Sequence, residues 1–216
     1  MINVKLQSTA IVVLSAGNNP RLLNGDFLKR NRIVPEEWVI IDTLVTPPVS
    51  QVTFENGMQF LVEENRLHFR VNQPVDFPWV EKLPQATLEY MQLLSHVNYG
   101  GVGLNFVYTS DDPSGDAAQQ AIIRRLMKAG AWLKCNSGIS GAVLDLQYRR
   151  EQPSMNVKIG VRESVGPQGK KLEGLIFTVN FHQEFQATQE EERASYVQSI
   201  GARQAQFFRF IEMLPF

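Results

Sequence analysis

Apolar and polar positions alternate near the start of the chain, which is the pattern of a β-strand with one buried face. The apolar positions share one parity, and polar residues occupy the other at Lys5, Gln7 and Thr9. The apolar set is Val4, Leu6, Ala10, Val12 and Leu14. Because successive side chains of a strand point to opposite faces, this period predicts a first strand whose apolar set faces the core.

Three further alternating segments follow at residues 52–54, 58–62 and 67–71. Asn56 and Gly57 separate the first two, and residues 63–65 separate the second and third. Asn-Gly favours a type I′ turn, in which both central residues need a positive φ. The pattern predicts a three-stranded antiparallel meander.

Helical periodicity predicts a short helix at 26–32 and longer helices at 78–97 and 116–129. Thr188 and Glu191 have the spacing of a capping box, which predicts the start of one long final helix. Its apolar stripe contains Val197, Ile200, Phe207 or Phe208, and Ile211. The glycine-rich residues 100–103 are expected to cap the preceding helix or to allow a tight bend.

Alternation returns at 142–148, 155–161 and 175–181, so three strands and a helix occur near 49–97 and again near 141–213. Half-buried strands of this kind cover their apolar face with helices. We therefore expect an α+β fold, a mostly antiparallel sheet with helices packed on one face, in a pseudo-duplicated βββα arrangement. No long polar linker divides the chain, which predicts one domain over residues 1–216.

Composition limits the classes of function. The chain has 216 residues, with 21 Lys and Arg against 22 Asp and Glu, so it is not a globally basic nucleic-acid binder. Its single cysteine, Cys135, cannot form an internal disulfide, which favours a reducing cytoplasm, and its thiol is expected to be buried or half-buried. No apolar run approaches the roughly 18 residues of a membrane span, so no membrane partner is expected.

No short motif indicates catalysis. Residues 100–103 leave a helix and enter a strand, the reverse of a dinucleotide loop, and residues 166–171 lack the spacing of a phosphate loop. Asp111, Asp112 and Asp116 are expected to stabilise a helix N-terminus rather than to bind a cation. We predict no cofactor and no metal site, and whether distant residues assemble a catalytic site stays open.

The candidate site is distributed over the polar parity of several strands. If the apolar parity faces helices, the opposite face carries mainly cations and histidines, while Glu55 and Asp145 are the chief acids expected there. The predicted binding residues are Arg66, His68, Arg70, Arg149, Lys158, Arg162, Asn180 and His182. Such a face suits an acidic protein, a phosphate or nucleic acid, although a hydrated sheet face has the same composition.

Three functions are compatible with these patterns. The first is a non-catalytic interaction domain that binds another protein, or a second copy of itself, through the polar sheet face or the C-terminal helix. The second is a small-ligand protein or enzyme with a pocket between sheet and terminal helix, lined by aromatic residues such as Trp38, Trp79, Phe177 and Phe181. The third is nucleic-acid binding by the basic face, which lacks a base-stacking aromatic platform.

Overall fold

A computed structural model describes residues 2–73, 77–111, 118–165 and 171–215, and its strands form one antiparallel sheet. In chain order the strands are β1 (Lys5–Ala16), β2 (Ile40–Val45), β3 (Val49–Phe54), β4 (Met58–Glu63), β5 (Arg66–Asn72), β6 (Asn98–Asp111), β7 (Leu144–Tyr148), β8 (Ser154–Val165) and β9 (Lys171–Glu184). The α-helices are α1 (Gly25–Arg30), α2 (Trp79–Leu93), α3 (Ala118–Ala121), α4 (Glu190–Gln198) and α5 (Ile200–Glu212). These elements confirm the predicted α+β class.

The strand order across the sheet is β2-β3-β4-β5-β1-β6-β9-β8-β7, with β1 and β6 paired near the centre. Each of these two long strands is followed by a short helix and then by a meander whose last strand pairs with it. One helix, α2, follows the first meander, and two, α4 and α5, follow the second. The order of elements is thus alike in both halves of the chain. Pseudo-duplication of the three-dimensional structure stays a prediction.

The hydrophobic core lies between one face of the sheet and the helices. The ring of Phe69 lies 4.6 Å from that of Phe60 and 5.1 Å from that of Tyr90 in α2. In the other half, Tyr108 stacks on Phe207 of α5 at 4.8 Å between ring centroids. Ring contacts at these distances add to the free energy gained by removing apolar area from water.

The predicted parity of β1 is wrong beyond its first residues. Leu6 pairs with Tyr108 and Ser8 with Val107, so a β-bulge inserts one residue between them. An extra residue reverses which parity faces the core. Ile11 and Val13 are consequently fully buried, and the side chains at positions 10, 12 and 14 turn to the other side of the sheet.

The predicted meander is confirmed, but its first turn is not type I′. Gly57 has φ +85°, and Asn56 is not among the residues with positive φ. The amide of Gly57 donates to the carbonyl of Phe54 at 3.0 Å, and the Asn56 side chain accepts from the amide of Met58. This is a three-residue hairpin loop in which only the glycine is left-handed.

The final helix is interrupted. α4 ends at Gln198 and α5 begins at Ile200, and the Ser199 hydroxyl between them donates to the carbonyl of Tyr196 at 2.7 Å. Serine competes for backbone groups in this way and so favours helix ends. The predicted capping box does not form, because α4 begins at Glu190 and Gln189 makes the local side-chain bond to the amide of Gln186. The predicted apolar stripe is buried at Val197, Ile200, Phe207 and Ile211.

Three other local predictions need correction. Residues 100–103 lie inside β6 rather than in a helix cap. The helix expected at 116–129 is described as α3 and a following π-helical turn, Ile122–Leu126. Cys135 is exposed rather than buried. Asp112, Asp116 and residues 166–170 lie outside the described residues, so the expectations placed on them are not addressed.

Phe207 and Phe208 give a matched test of the core. Phe207→Ala removes a fully buried ring and should lower the free energy of unfolding by about 3–5 kcal/mol. Phe208 is 38% exposed, so Phe208→Ala should lower it by only about 1 kcal/mol. Urea denaturation followed by circular dichroism measures both, and equal losses would contradict the packing described.

Candidate functional site

The side of the sheet opposite the helices is called the open face here. Strand register shows which residues share it, because directly paired residues point to the same side. One row crosses all nine strands of the sheet, and its members are Asp42, Thr53, Gln59, Arg70, Ala10, Asn105, Asn180, Asn156 and Gln147. The row is polar except at Ala10 on β1.

Seven of the eight predicted binding residues point to the open face. They are Arg66, His68 and Arg70 on β5, Lys158 and Arg162 on β8, and Asn180 and His182 on β9. The eighth, Arg149, follows the last residue of β7 and lies outside the strand. The sheet therefore places these seven side chains on one side of the molecule.

The seven residues do not form a single cluster. β1 and β6 lie between β5 and β9, so the residues of β5 stand about 14 Å from those of β9 and about 19 Å from those of β8 at ordinary strand spacing. Direct interaction between the cations of β5 and those of β8 is excluded at these separations. The open face instead has two polar flanks, one on each side of its centre.

The first flank is the β5 cluster, defined as Arg66, His68 and Arg70. Arg66 pairs with Glu63 of the neighbouring strand, while Nε of Arg70 is buried without a hydrogen-bond partner in the described part. Burial lowers the pKa of His68, and the positive charges of Arg70 and Arg66 lower it further. The histidine is therefore held toward its neutral form between two guanidinium groups.

The second flank contains an amide pair and an imidazole–carboxylate pair. Asn180 donates to the side-chain oxygen of Asn105 at 2.8 Å, and Nε2 of His182 lies 2.5 Å from a carboxylate oxygen of Glu184. These side chains lie over Gly103 and Gly101, where a Cβ would come within 2.9 Å of Asn180 and of Glu184 respectively. The glycines thus make room for polar groups against the sheet. Asn105 was not predicted, since only strand pairing brings it beside Asn180. Glu184 was also missed, although it stands two residues after His182 on β9, and this i, i+2 spacing was a signal in the sequence.

Carboxylates accompany the cations on the open face. Glu63 is paired with Arg66, and Asp145 is directly opposite Lys158 across β7 and β8. Asp42 and Glu184 share the same side, whereas Glu55 lies in the turn after β3. Cross-strand pairs of opposite charge stabilise a sheet. The face is consequently of mixed charge rather than uniformly basic.

The centre of the open face is apolar. The central stripe, defined as Ala10, Val12 and Leu14 of β1, points to this side because of the bulge near Ser8. Leu61 of β4 lies in the same row as Val12, on the far side of His68. Leu14 is 42% exposed. An apolar centre bounded by charged residues is the composition found at protein interfaces.

The space between sheet and terminal helix is filled. Phe177 and Phe181 are fully buried, and the Phe177 ring contacts that of Phe207 in α5 at 6.2 Å. Trp38 lies elsewhere, in a cavity of about 440 Å³ beside α1 and α2. A larger cleft of about 560 Å³ lies between the C-terminal part of α2 and the start of α4, where the buried Arg193 donates to the carbonyl of Tyr99 at 2.8 Å.

No group of three or more His, Cys, Asp or Glu side chains suited to a metal ion occurs among the described residues. None of the described helices is long and apolar enough to cross a membrane. No protein-family model matches the chain, and no curated protein matches it. The geometry of the molecule is thus the basis for any functional assignment.

His68 offers a test of the β5 cluster. Arg70→Gln should raise the pKa of His68 toward its ordinary value, because one repelling charge is lost, while burial keeps it lowered. A lowered pKa means that the folded state binds the proton less readily than the unfolded state does. The free energy of unfolding should therefore fall as the pH drops from the ordinary histidine pKa to the lower pKa of the folded state. This loss should be smaller in the Arg70→Gln variant. Proton NMR titration of the imidazole measures the pKa. Arg162→Gln, a distant charge on the same face, should leave it unchanged; an equal rise there would contradict a local cause.

Gly103 and Gly160 test the amide pair. Gly103→Ala places a methyl group 2.9 Å from Nδ2 of Asn180 and should break its bond to Asn105. At Gly160 the nearest atom to an added Cβ is 3.6 Å away, an ordinary contact. We expect Gly103→Ala to be less stable than Gly160→Ala by about 1–2 kcal/mol, as measured by urea denaturation. Equal stability of the two variants would show that the amide pair contributes little.

Proposed function

We propose that the chain is a non-catalytic binding domain that docks another protein on the open face of its sheet. The observation that supports this proposal is the central stripe, an apolar strip on the side of the sheet away from the helices, enclosed by charged and amide side chains. Burying apolar area drives association, and the surrounding polar groups give it specificity.

The open face is large enough for this role. At a strand spacing of about 4.8 Å and a rise of about 3.3 Å per residue, nine strands of six residues cover roughly 40 Å by 20 Å. That area of about 800 Å² corresponds to the surface that each partner contributes to a stable protein interface. A small molecule would contact only a fraction of it.

Mixed charge favours a protein over a nucleic acid. Glu63 lies beside Arg66 and Asp145 opposite Lys158, so a phosphate backbone would meet carboxylates as well as cations. Among the described residues, those that the strand register assigns to this face include no Phe, Tyr or Trp ring on which bases would stack. A protein with side chains of both signs complements this pattern better.

A distinct protein fits better than a second copy. The β5 cluster concentrates its positive charge on one strand, whereas the carboxylates of the open face are dispersed over β2, β4, β7 and β9. A twofold dimer would present no acidic strip to that cluster. The proposed partner therefore carries an acidic strip next to apolar side chains.

The C-terminal helix is the weaker candidate surface. Phe207, Phe210 and Ile211 are buried in the core, and the helix's exposed apolar side chains are Phe208 and, at the C-cap, Met213. Single exposed apolar residues are common on protein surfaces and do not indicate an interface. The proposal also assigns no catalytic residue, and it places the protein in the cytoplasm, in keeping with its single cysteine.

Leu14 and Val80 supply a matched test, because each is 42% exposed and they lie on opposite sides of the sheet. Chemical cross-linking in a cell extract, read out by mass spectrometry, would identify a partner, which is then purified for calorimetry. Leu14→Glu should weaken the affinity by about tenfold or more, since an apolar contact is replaced by a buried charge. Val80→Glu should leave it within about twofold.

Arg70→Glu should also weaken binding, by repelling the acidic strip, and hydrogen exchange should slow in β1 and β5 of the complex. Each variant is first shown to be folded by circular dichroism. The proposal fails if binding responds to Val80→Glu rather than to Leu14→Glu, or if protection maps to α2 or α5. If light scattering shows a dimer that Leu14→Glu abolishes, the occupant of the open face is a second copy of the chain. Affinity for an RNA or DNA duplex would instead support the nucleic-acid alternative. Either result overturns the proposed partner.

A further inference from the structure

A second surface, on the helix side of the molecule, carries an excess of positive charge, whereas the charge of the open face is mixed. The α1–α2 pocket, of about 440 Å³, lies between the end of α1, the segment that follows it, and the first half of α2. Its cations are Lys29, Arg30, Arg32 and Lys82, and its one carboxylate is Glu36. We propose that this pocket binds a phosphorylated small molecule that carries a planar ring.

The cations of the pocket are largely unpaired. Nζ of Lys29 donates to the backbone carbonyl of Glu36 at 2.6 Å, which fixes that ammonium group at the rim. The side chains of Arg30, Arg32 and Lys82 make no hydrogen bond or ion pair within the described part of the chain. Several cations around one cavity raise the local concentration of anions, and guanidinium groups bind phosphate through paired N–H donors.

The helix dipole explains only half of this cluster. Lys29 and Arg30 occupy the last turn of α1, where positive charge is favourable. Arg32 lies beyond the helix and Lys82 belongs to another helix, so neither is placed by that effect. Two elements distant in sequence thus direct positive charge into the same cavity.

Arg32 has an unusual backbone for its residue type. Its φ is +58°, and its amide donates to the carbonyl of Lys29 at 2.9 Å as the chain leaves α1. Glycine is favoured at this left-handed position after a helix, and a residue with a Cβ is strained there. Strain of this kind is retained mainly at functional sites, and here it carries a cation to the edge of the pocket.

The floor of the pocket supplies an apolar and aromatic surface. Ile33 and Val34 are buried beneath it, and Trp38 lines it. The Trp38 ring is held by edge contacts to Phe54 at 5.4 Å and Phe77 at 5.6 Å. A fixed aromatic ring beside a cationic rim suits a ligand with a planar base and phosphate groups, and the volume lies in the range of small-molecule sites.

Binding in this pocket does not depend on the proposed function, because the pocket and the open face lie on opposite sides of the sheet. The full-length chain is titrated by calorimetry with ADP and with inorganic pyrophosphate at about 50 mM ionic strength, where charge interactions are weakly screened. Citrate serves as an anion without phosphate. We expect a dissociation constant for ADP below about 1 mM, weaker binding of pyrophosphate, and no binding of citrate.

Arg32→Gly separates binding from folding. It removes a cation and relieves the left-handed strain, so it should weaken ADP binding about tenfold while the melting temperature stays equal or rises. Lys82 lies on the α2 wall of the pocket, and Lys82→Gln should weaken ADP binding by a similar factor. Arg209→Gln, an exposed cation of α5 outside the pocket, should change affinity by less than about twofold.

Three outcomes overturn the inference. The first is that neither ADP nor pyrophosphate binds the wild type at millimolar concentration. The second is that citrate binds as tightly as ADP, which would show a nonspecific anion effect. The third is that Arg209→Gln weakens binding as much as Arg32→Gly does. Equal affinity for pyrophosphate and ADP would show that the planar ring contributes nothing to binding, and so overturn that part of the proposal.

Discussion

The pairing of β1 with β6 is the interaction on which the rest of the structure depends. These strands run antiparallel from Lys5 opposite Thr109 to Ala16 opposite Asn98. On its other side each pairs with the last strand of its own meander, β1 with β5 and β6 with β9. Without this pair the two halves would expose unpaired backbone groups at two long edges. The pair therefore joins nine strands into one sheet and so creates a continuous face.

Two irregularities in β1 decide which of its side chains lie on that face. The bulge between Leu6 and Ser8 turns Ile11 and Val13 into the core and places the central stripe on the opposite side. A second register shift, between Val13 and Ser15, ends this arrangement near the start of β6. A regular strand with Leu6 inside would have buried Val12 and Leu14 and placed Ile11 and Val13 on the open face instead.

Alternation in the sequence predicted the strands well because burial of one face is a local property. Met58, Phe60 and Val62, for example, are fully buried as their parity indicates. A bulge leaves no such signal, since it adds one residue to a pattern that reads as apolar on either parity around Ala10. The turn at Asn56 failed for a similar reason: Asn-Gly is compatible with two loop types, and the hydrogen bond from Gly57 to Phe54 selects one.

The site was harder to predict than the fold because strand order is not local. Parity placed Arg70 and Lys158 on one face, but the insertion of β1, β6 and β9 between their strands is a consequence of tertiary pairing. The same limitation concealed the amide pair, whose members Asn105 and Asn180 are 75 residues apart. The basic segment at Lys29, Arg30 and Arg32 was visible in the sequence, whereas its meeting with Lys82 required the packing of α1 on α2.

The two surfaces differ in how their charges are balanced, and this difference suits them to different ligands. On the open face Arg66 is paired with Glu63 and Lys158 lies opposite Asp145, so little uncompensated charge would have to be buried when a protein covers them. In the α1–α2 pocket three cationic side chains have no partner among the residues that the structure describes, and they keep their hydration until an anion binds. A large partner needs a surface whose charges are already paired when water is removed, and a small anion needs cations that are not yet paired. One sheet with its described α-helices packed on one face provides both.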